Sequence, residues 1–350
     1  MKEGRGPCHG VAPLYIRRRC NVLVILKRIG IALFTIFVIV SLTFFLVRKT
    51  PGDVMQAWAM DLVQTYSMTY EDALSMVQSW YSYDPHQPLL QQYITYISGL
   101  LRGDLGKSFI YKVSVNEVLV RALPWTAFVV SISLFLSFGI GILLGMAMAW
   151  KRKSFLDPLV TAYASFTGAT PDYITALILL IIFAVNLHIF PLKGAYDATI
   201  TPGLTWPFIK SVLMHAALPI AAYTFEHAAS WALAMKGSAV GVLGEDYIMA
   251  ARARGLKEGR IMIHYMGRNA ILPLVTGLAI SLGGMVGGSA LIETIFSYPG
   301  IGWFFAEALT KRDFGLMQGL FLFLATAVIF ANLIADIFYS VLDPRIKLEG

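Results

Sequence analysis

Residues 245–273 read EDYIMAARARGLKEGRIMIHYMGRNAILP, a polar and basic stretch set between long apolar runs. Its first half has the pattern of a short helix. Glu245 and Asp246 fall at the positive end of a helix dipole and Arg252 and Arg254 near the negative end, while Gly255 suits a left-handed cap. Tyr247, Ala250, Ala251 and Arg254 recur at i, i+3, i+4 and i+7 and therefore share one face. Two small side chains on that face let another protein's groove come close, and the flanking charges fix its orientation. A conspicuous loop in so apolar a chain is a place for docking. The plain alternative is an ordinary basic connection between spans, as the positive-inside tendency allows.

Outward from the loop the chain is a polytopic membrane protein. Of its 350 residues 57% are hydrophobic and 14% charged, and the mean hydropathy is +0.66, which excludes an ordinary soluble enzyme. Uninterrupted apolar runs at 29–47, 125–150, 173–192, 271–292 and 314–335 are long enough to cross a hydrocarbon layer of roughly 30 Å. A sixth, 212–235, is apolar except for Glu226 and His227. The expected fold is all-α with six transmembrane helices and an extracytoplasmic helical insert. The expected layout is a tail over 1–28, a first span over 29–47, the insert over 48–124, a five-helix core over 125–342 containing the loop 244–270, and a tail over 343–350. Residues 159–170, just before Pro171, read as a kinked first part of the third helix.

With the N-terminus inside, 18 of the 28 Lys and Arg residues fall in the cytoplasmic segments 1–28, 151–153, 236–270 and 343–350. That bias places both termini in the cytoplasm. The net charge of +7 is then a signature of topology and not of nucleic-acid binding. The apolar run after the basic tail is a full span, so the tail reads as retained, and Cys8 and Cys20 within it are poor candidates for a structural disulfide.

The insert holds seven acidic and six basic residues with interleaved tyrosines, and 69–80 and 89–101 have amphipathic patterns, so a small helical cap is expected. Its LRGDLGKS, residues 101–108, ends like a phosphate-binding loop. Leu101 stands where that loop needs its first glycine, and no strand precedes it, so no nucleotide site is read there.

Taken in order, the short motifs resemble those of one family. The loop is similar to the cytoplasmic "EAA" loop of ABC-importer permeases, in the dipeptide, oligopeptide and nickel branch: Ala250, Ala251 and Gly255 match its alanine pair and glycine, and Leu272–Pro273 its closing pair. Met249 departs from the acidic first position of that motif. The resemblance runs from about residue 27 to 347 and includes TPGD at 50–53, LRGDLG at 101–106, ETIF at 293–296, YPGIG at 298–302, RDF at 312–314, QG at 318–319 and DPRI at 343–346. It implies a bacterial or archaeal plasma-membrane permease subunit, most readily for dipeptides or oligopeptides, with nickel chelates or another small solute as the alternative cargo. It further implies a second homologous permease, two cytoplasmic ATPases and an extracytoplasmic binding protein that the insert helps to receive. Glu245, Asp246, Tyr247, Ala250, Ala251, Arg252, Arg254 and Gly255 would couple to the ATPases. ATP and magnesium would belong to those partners, leaving this chain without cofactor, metal or catalytic residue.

Charged groups at membrane depth are costly to insert, so each is a functional hypothesis. Glu226 and His227 stand near the middle of the fourth expected span, where a pathway role toward a peptide's ammonium or carboxylate and a buried structural pair both remain open. They look unusual for the family, which suits substrate tuning. Gly284 and Gly288 belong to overlapping small-residue repeats over 283–288 on the fifth expected span, and Gly141 and Gly145 form another on the second. Such repeats serve close packing within a subunit as readily as an interface, and the family places the fifth helix near the pathway. Asp172 reads as help for a broken backbone after Pro171, and Asn332 with Asp336 as a structural pair. An ion-coupled secondary transporter would use Glu226 and His227 as a proton site. The absence of a detectable internal repeat and the ordered permease motifs weigh against it.

Overall fold

A computed structural model describes residues 14–49, 54–80, 87–151, 154–284 and 290–342, and these are helical or irregular with a single isolated bridge, Lys107 to Ser114. Helix α1 (Leu14–Lys49) begins well before the expected first span and continues through it. Helices α2 (Val54–Tyr66), α3 (Tyr70–Trp80) and α4 (Leu89–Leu101) form the insert. Ala59, Leu62, Ala73 and Val77 close a small core between α2 and α3. Helix α4 lies on α1, where the Ser41 hydroxyl meets Tyr93 Oη at 2.7 Å and the Phe44 ring stacks on Tyr96.

The centre of the molecule is the pair α5 (Val115–Trp150) and α8 (Trp206–Leu243). At 1.5 Å per residue each is more than about 50 Å long. They touch along the Gly141/Gly145 repeat. A Cβ added at Gly141 would lie 2.3 Å from Trp231 Cβ, and one at Gly145 2.4 Å from the Ala232 carbonyl oxygen. Small residues on both sides, Ala228, Ala229 and Ala232, are fully buried in return. That repeat is therefore occupied inside this chain.

Helix α6 (Leu156–Ala169) and helix α7 (Asp172–Leu179), which runs on as a π-helix over Leu180–Asn186, are bent against each other by 105°. The expected kink is thus a bend past a right angle. Pro171 sits at the α7 N-cap in extended geometry and the preceding Thr170 is extended too, as the residue before a proline prefers. The Asp172 carboxylate accepts the Tyr173 N–H at 2.8 Å in the new first turn.

After α8 the chain forms α9 (Asp246–Ala253), then an interrupted helix made of α10 (Glu258–Arg260), a π-helix (Ile261–Gly267), α11 (Arg268–Ala270) and α12 (Leu272–Gly284). Helices α13 (Ala290–Ile295), α14 (Ile301–Thr310) and α15 (Phe314–Leu342) complete the fold. Among the described residues four helices are long and apolar enough to cross a membrane, and five if the bent α6–α7 pair counts as one span. The fifth expected span, 271–292, is described as α12 and the start of α13, with 285–289 outside the described residues. Gly288, Cys8, the motif at 50–53 and that at 343–346 also lie outside them, as does the side chain of Asp336. The apolar side chains of α1, such as Leu33, Phe34 and Leu46, face outward, as lipid contact requires.

Candidate coupling surface and the groups behind it

Helix α9 is short and fixed at both ends by backbone geometry. Glu245 takes the extended N-cap conformation and its carbonyl accepts the Ile248 N–H at 3.0 Å. At the other end Gly255 adopts φ +70°, a left-handed conformation that favours glycine, and its N–H reaches the Arg252 carbonyl at 2.9 Å. The helix presents two faces. Ile248 and Ala251 are buried and pack with Ile261, Met266, Ala270 and Met235, so the inner face is seated on the π-helix and on α8. Tyr247, Met249, Ala250 and Arg254 look outward, with Glu245 and Asp246 exposed at the N-terminal end.

This corrects one expectation. Ala251 does not share an outer face with Ala250; it is 2% exposed and belongs to the chain's own core. Sequence spacing alone put both on one side because i and i+1 are 100° apart and the seat was unknown. The apolar pair Ile248 and Ala251, three residues apart, is the signal that marks the inner face. Arg252 is exposed but also leans on the chain itself. Its guanidinium lies 5.7 Å from the centroid of the Trp150 ring at the end of α5, and its Nε is 3.6 Å from Glu258 Oε1. Trp150 and Glu258 were not singled out by sequence reasoning.

Glu226 and His227 lie in α8, half-buried, facing the bent pair. Thr175 Oγ1 of α7 donates to Glu226 Oε1 at 2.5 Å. The Tyr163 hydroxyl of α6 donates to the Phe225 carbonyl, with the two rings 4.8 Å apart. Asp172 lies within electrostatic range of both Glu226 and His227. The 105° bend thus brings polar groups from three helices to one level. Among the described residues no group of three metal-ligating side chains forms; His188 is exposed and the His215 ring meets the Ser211 carbonyl oxygen at 2.8 Å.

The far end of α5 carries a network that the sequence showed only as scattered motifs. Glu293 is 1% exposed, and its two oxygens accept the Thr126 hydroxyl at 2.9 Å and the Trp303 N–H at 3.1 Å. Thr126 Oγ1 in turn accepts the Ile301 N–H at 2.8 Å. A Cβ at Gly300 would fall 2.4 Å from the Glu293 carboxylate, so the bare backbone is what lets the turn close over it. Asp313 is fully buried. Its Oδ2 accepts the Ser108 hydroxyl at 2.6 Å and the Ile110 N–H at 3.1 Å, and its Oδ1 accepts the Leu316 N–H at 3.0 Å. Buried carboxylates are tolerable only with such donors. Nearby, burial together with Glu307 and Asp313 pushes the Tyr111 hydroxyl up to about 12. Leu105, Val115, Ile301 and Leu316 share one apolar cluster and Gly319 abuts the Leu105 carbonyl, so parts of the segments 101–106, 298–302 and 318–319 meet there, while residues 101–104 stay exposed. The stretch resembling a phosphate loop joins it through Leu105, with Ser108 turned inward.

The chain as a whole is similar to known proteins. Residues 141–348 match the family described as the binding-protein-dependent transport system inner membrane component. The chain is 31% identical over 325 residues to the oligopeptide transport system permease protein OppB of Haemophilus influenzae, covering 92% of this chain and 98% of that one. It is 32% identical to the dipeptide transport system permease protein DppB of Bacillus subtilis, over 93% of this chain and 97% of the relative. Against the Escherichia coli DppB the identity is 31%, over 92% and 98%. A solved structure of the MetNI methionine ABC transporter, inward facing, aligns with a TM-score of 0.51 at 19% identity, covering 65% of this chain and 96% of that chain, and it shares the fold. With the family match spanning more than half its length and such relatives end to end, this chain belongs to the inner membrane components of binding-protein-dependent transport systems.

Proposed function

We propose that this permease is one half of the translocation pathway of an ATP-driven peptide importer. It pairs with a second homologous permease, receives two cytoplasmic ATPase subunits, and takes its solute from an extracytoplasmic binding protein. Both termini lie in the cytoplasm, and ATP and magnesium are held by the ATPases. The single observation that carries the reading is α9, a capped helix with a buried inner face and an exposed outer face, seated at the end of the central α5–α8 pair. Glu245, Asp246, Tyr247, Ala250 and Arg254 form the surface that an ATPase grips, and Ala251, Arg252 and Gly255 hold that surface in place. Closure of the ATPases moves α9, and its seat passes the movement to the spans. Relatives named as oligopeptide and dipeptide permeases support peptides as the cargo. Glu226 and His227 line the pathway beside the bend, and Gly284 and Gly288 are pathway candidates from their small-residue spacing on the expected fifth span.

The test is purification of the tagged chain from its native membranes in mild detergent, with uptake of labelled dipeptides and tripeptides measured in cells with and without it. Recovery of P-loop ATPases and a second permease, with peptide uptake dependent on this chain, is expected. A homo-oligomer without any ATPase rejects the reading. In the same assay Glu226→Gln should change the half-saturating peptide concentration and leave the recovered subunits unchanged.

A further inference from the structure

The two loops joined by the Asp313 carboxylate carry exposed charge for which the transport reading gives no use. Over residues 102–121 and 300–313 the basic side chains are Arg102, Lys107, Lys112, Arg121, Lys311 and Arg312, and the acidic ones Asp104, Glu117, Glu307 and Asp313. The acids are largely engaged. Asp313 is sealed inside, Glu117 pairs with Arg121 at 2.5 Å, Glu307 pairs with Lys311 at 2.6 Å, and Asp104 Oδ1 accepts the Gly106 N–H at 2.9 Å. Arg102, Lys107 and Arg312 are exposed and make no ion pair among the described residues. Lys107 and Arg312 stand one residue from either end of the 2.6 Å bond between Ser108 and Asp313, so they are neighbours on one rim.

The rim is built, not loose. Arg312 (φ 56°) and Lys112 (φ 55°) both hold the left-handed conformation that residues with a Cβ rarely adopt, at the tips of the two clasped loops. Gly315 lies so close to the Lys107 carbonyl that a Cβ there would fall 2.2 Å away, and Gly319 is likewise pressed on the Leu105 carbonyl. Backbone fixed in this way sets where the charges emerge, leaving only the long side chains to order on contact. The helices preceding the rim have the opposite character: α2, α3 and α4 carry Asp61, Glu71 and Asp72 and no Lys or Arg. Basic residues at this end also run against the topological trend, which concentrates Lys and Arg at the other end of the spans. No amphipathic basic helix is present among them to lie on a lipid surface.

We propose that the Lys107 and Arg312 rim is the contact for an acidic patch on the soluble protein that delivers the solute. This rests on the importer reading and its orientation. Charge at a rim sets the rate and direction of approach more than the final affinity, and exposed charges are screened over about 8 Å at 0.15 M salt. The contact is therefore salt-sensitive and precedes any tighter fit.

The experiment uses the whole assembly in nanodiscs of neutral lipid, with the binding protein that co-purifies with it as probe. Stimulation of ATPase activity is titrated at 50 and 300 mM salt for the parent, for K107E/R312E and for K107Q/R312Q. The charge reversal should raise the half-stimulating concentration on the order of tenfold at low salt and flatten its salt dependence. The neutral pair should fall between, and unstimulated ATPase activity should hold throughout, which shows that the variants assemble. An unchanged half-stimulating concentration with intact unstimulated activity overturns the docking proposal and leaves the importer standing. An effect of the substitutions that emerges only in discs containing anionic lipid overturns it in favour of a lipid contact. Absence of any ATPase from the purified assembly removes the importer reading, and the proposal with it.

Discussion

Asp313 and Ala251 show how far a single side chain departs from its appearance in the sequence. Asp313 reads there as an ordinary acid in a short polar turn, yet it is the fully buried acceptor of three donors. Asp313→Ala leaves those donors without a partner, at about 1–3 kcal/mol for the first and less for those that find water. The expected result is a midpoint of thermal unfolding in detergent lowered by several degrees, while Asp104→Asn on the exposed rim changes it little. Asp313→Asn, which keeps an acceptor, should recover part of the loss. Ala250 and Ala251 are adjacent and small, but one faces out and the other in. Ala250→Trp should leave folding intact and prevent recovery of ATPase subunits; Ala251→Trp should unseat α9 and lower the yield of folded chain. Equal effects from the two would contradict the seating described for α9. The burial of Asp313 was not legible beforehand, because its donor Ser108 stands 205 positions away. The inner face of α9 was marked only by the Ile248 and Ala251 spacing, and its seat on Ile261, Met266 and Met235 was not marked at all.

Helices were the most legible level. The apolar runs and the amphipathic pattern over 89–101 correspond to α1, α4, α5, α8 and α15, since hydropathy over a span-length window and 3.6-residue periodicity are both local properties. What local pattern hides is direction. Pro171 announced a break in the third helix, but the size of the turn, 105°, is set by what α7 packs against on α8. The two π-helices, Leu180–Asn186 and Ile261–Gly267, have no local signature either. Glycines divide in the same way. On α5, Gly139 has open space around a would-be Cβ, whereas Gly145 is in hard contact with α8. Gly139→Ala should be neutral or stabilising by up to about 1 kcal/mol through helix propensity. Gly145→Ala forces the Ala232 backbone away and should lower the unfolding midpoint. Measuring the pair side by side separates packing from propensity, and equal shifts would mean the close α5–α8 contact does not exist in the membrane.

The whole molecule is arranged around α5. One end meets α9 through Trp150 and Arg252, and the other meets α13 and α14 through Thr126 and Glu293. A continuous helix fastened at both ends carries displacement without needing a chain of loose contacts. Trp150→Leu keeps an apolar side chain in the core but removes the ring beneath Arg252. The expected outcome is an assembly with normal subunit composition and normal unstimulated ATPase activity, in which peptide uptake per ATP hydrolysed falls. Uptake per ATP equal to that of the parent would show that the ring plays no part in coupling. The clasp at the far end also bears on how the protein is made. Ser108 and Asp313 are 205 residues apart. At roughly 5–20 residues per second, synthesis of the intervening chain takes roughly 10–40 s. Through that interval the loop around Ser108 has already emerged without its anchor, and it closes only when the last helix arrives. A chain halted after α12 lacks Asp313, so the loop around Ser108 stays unclasped until the last helices are made.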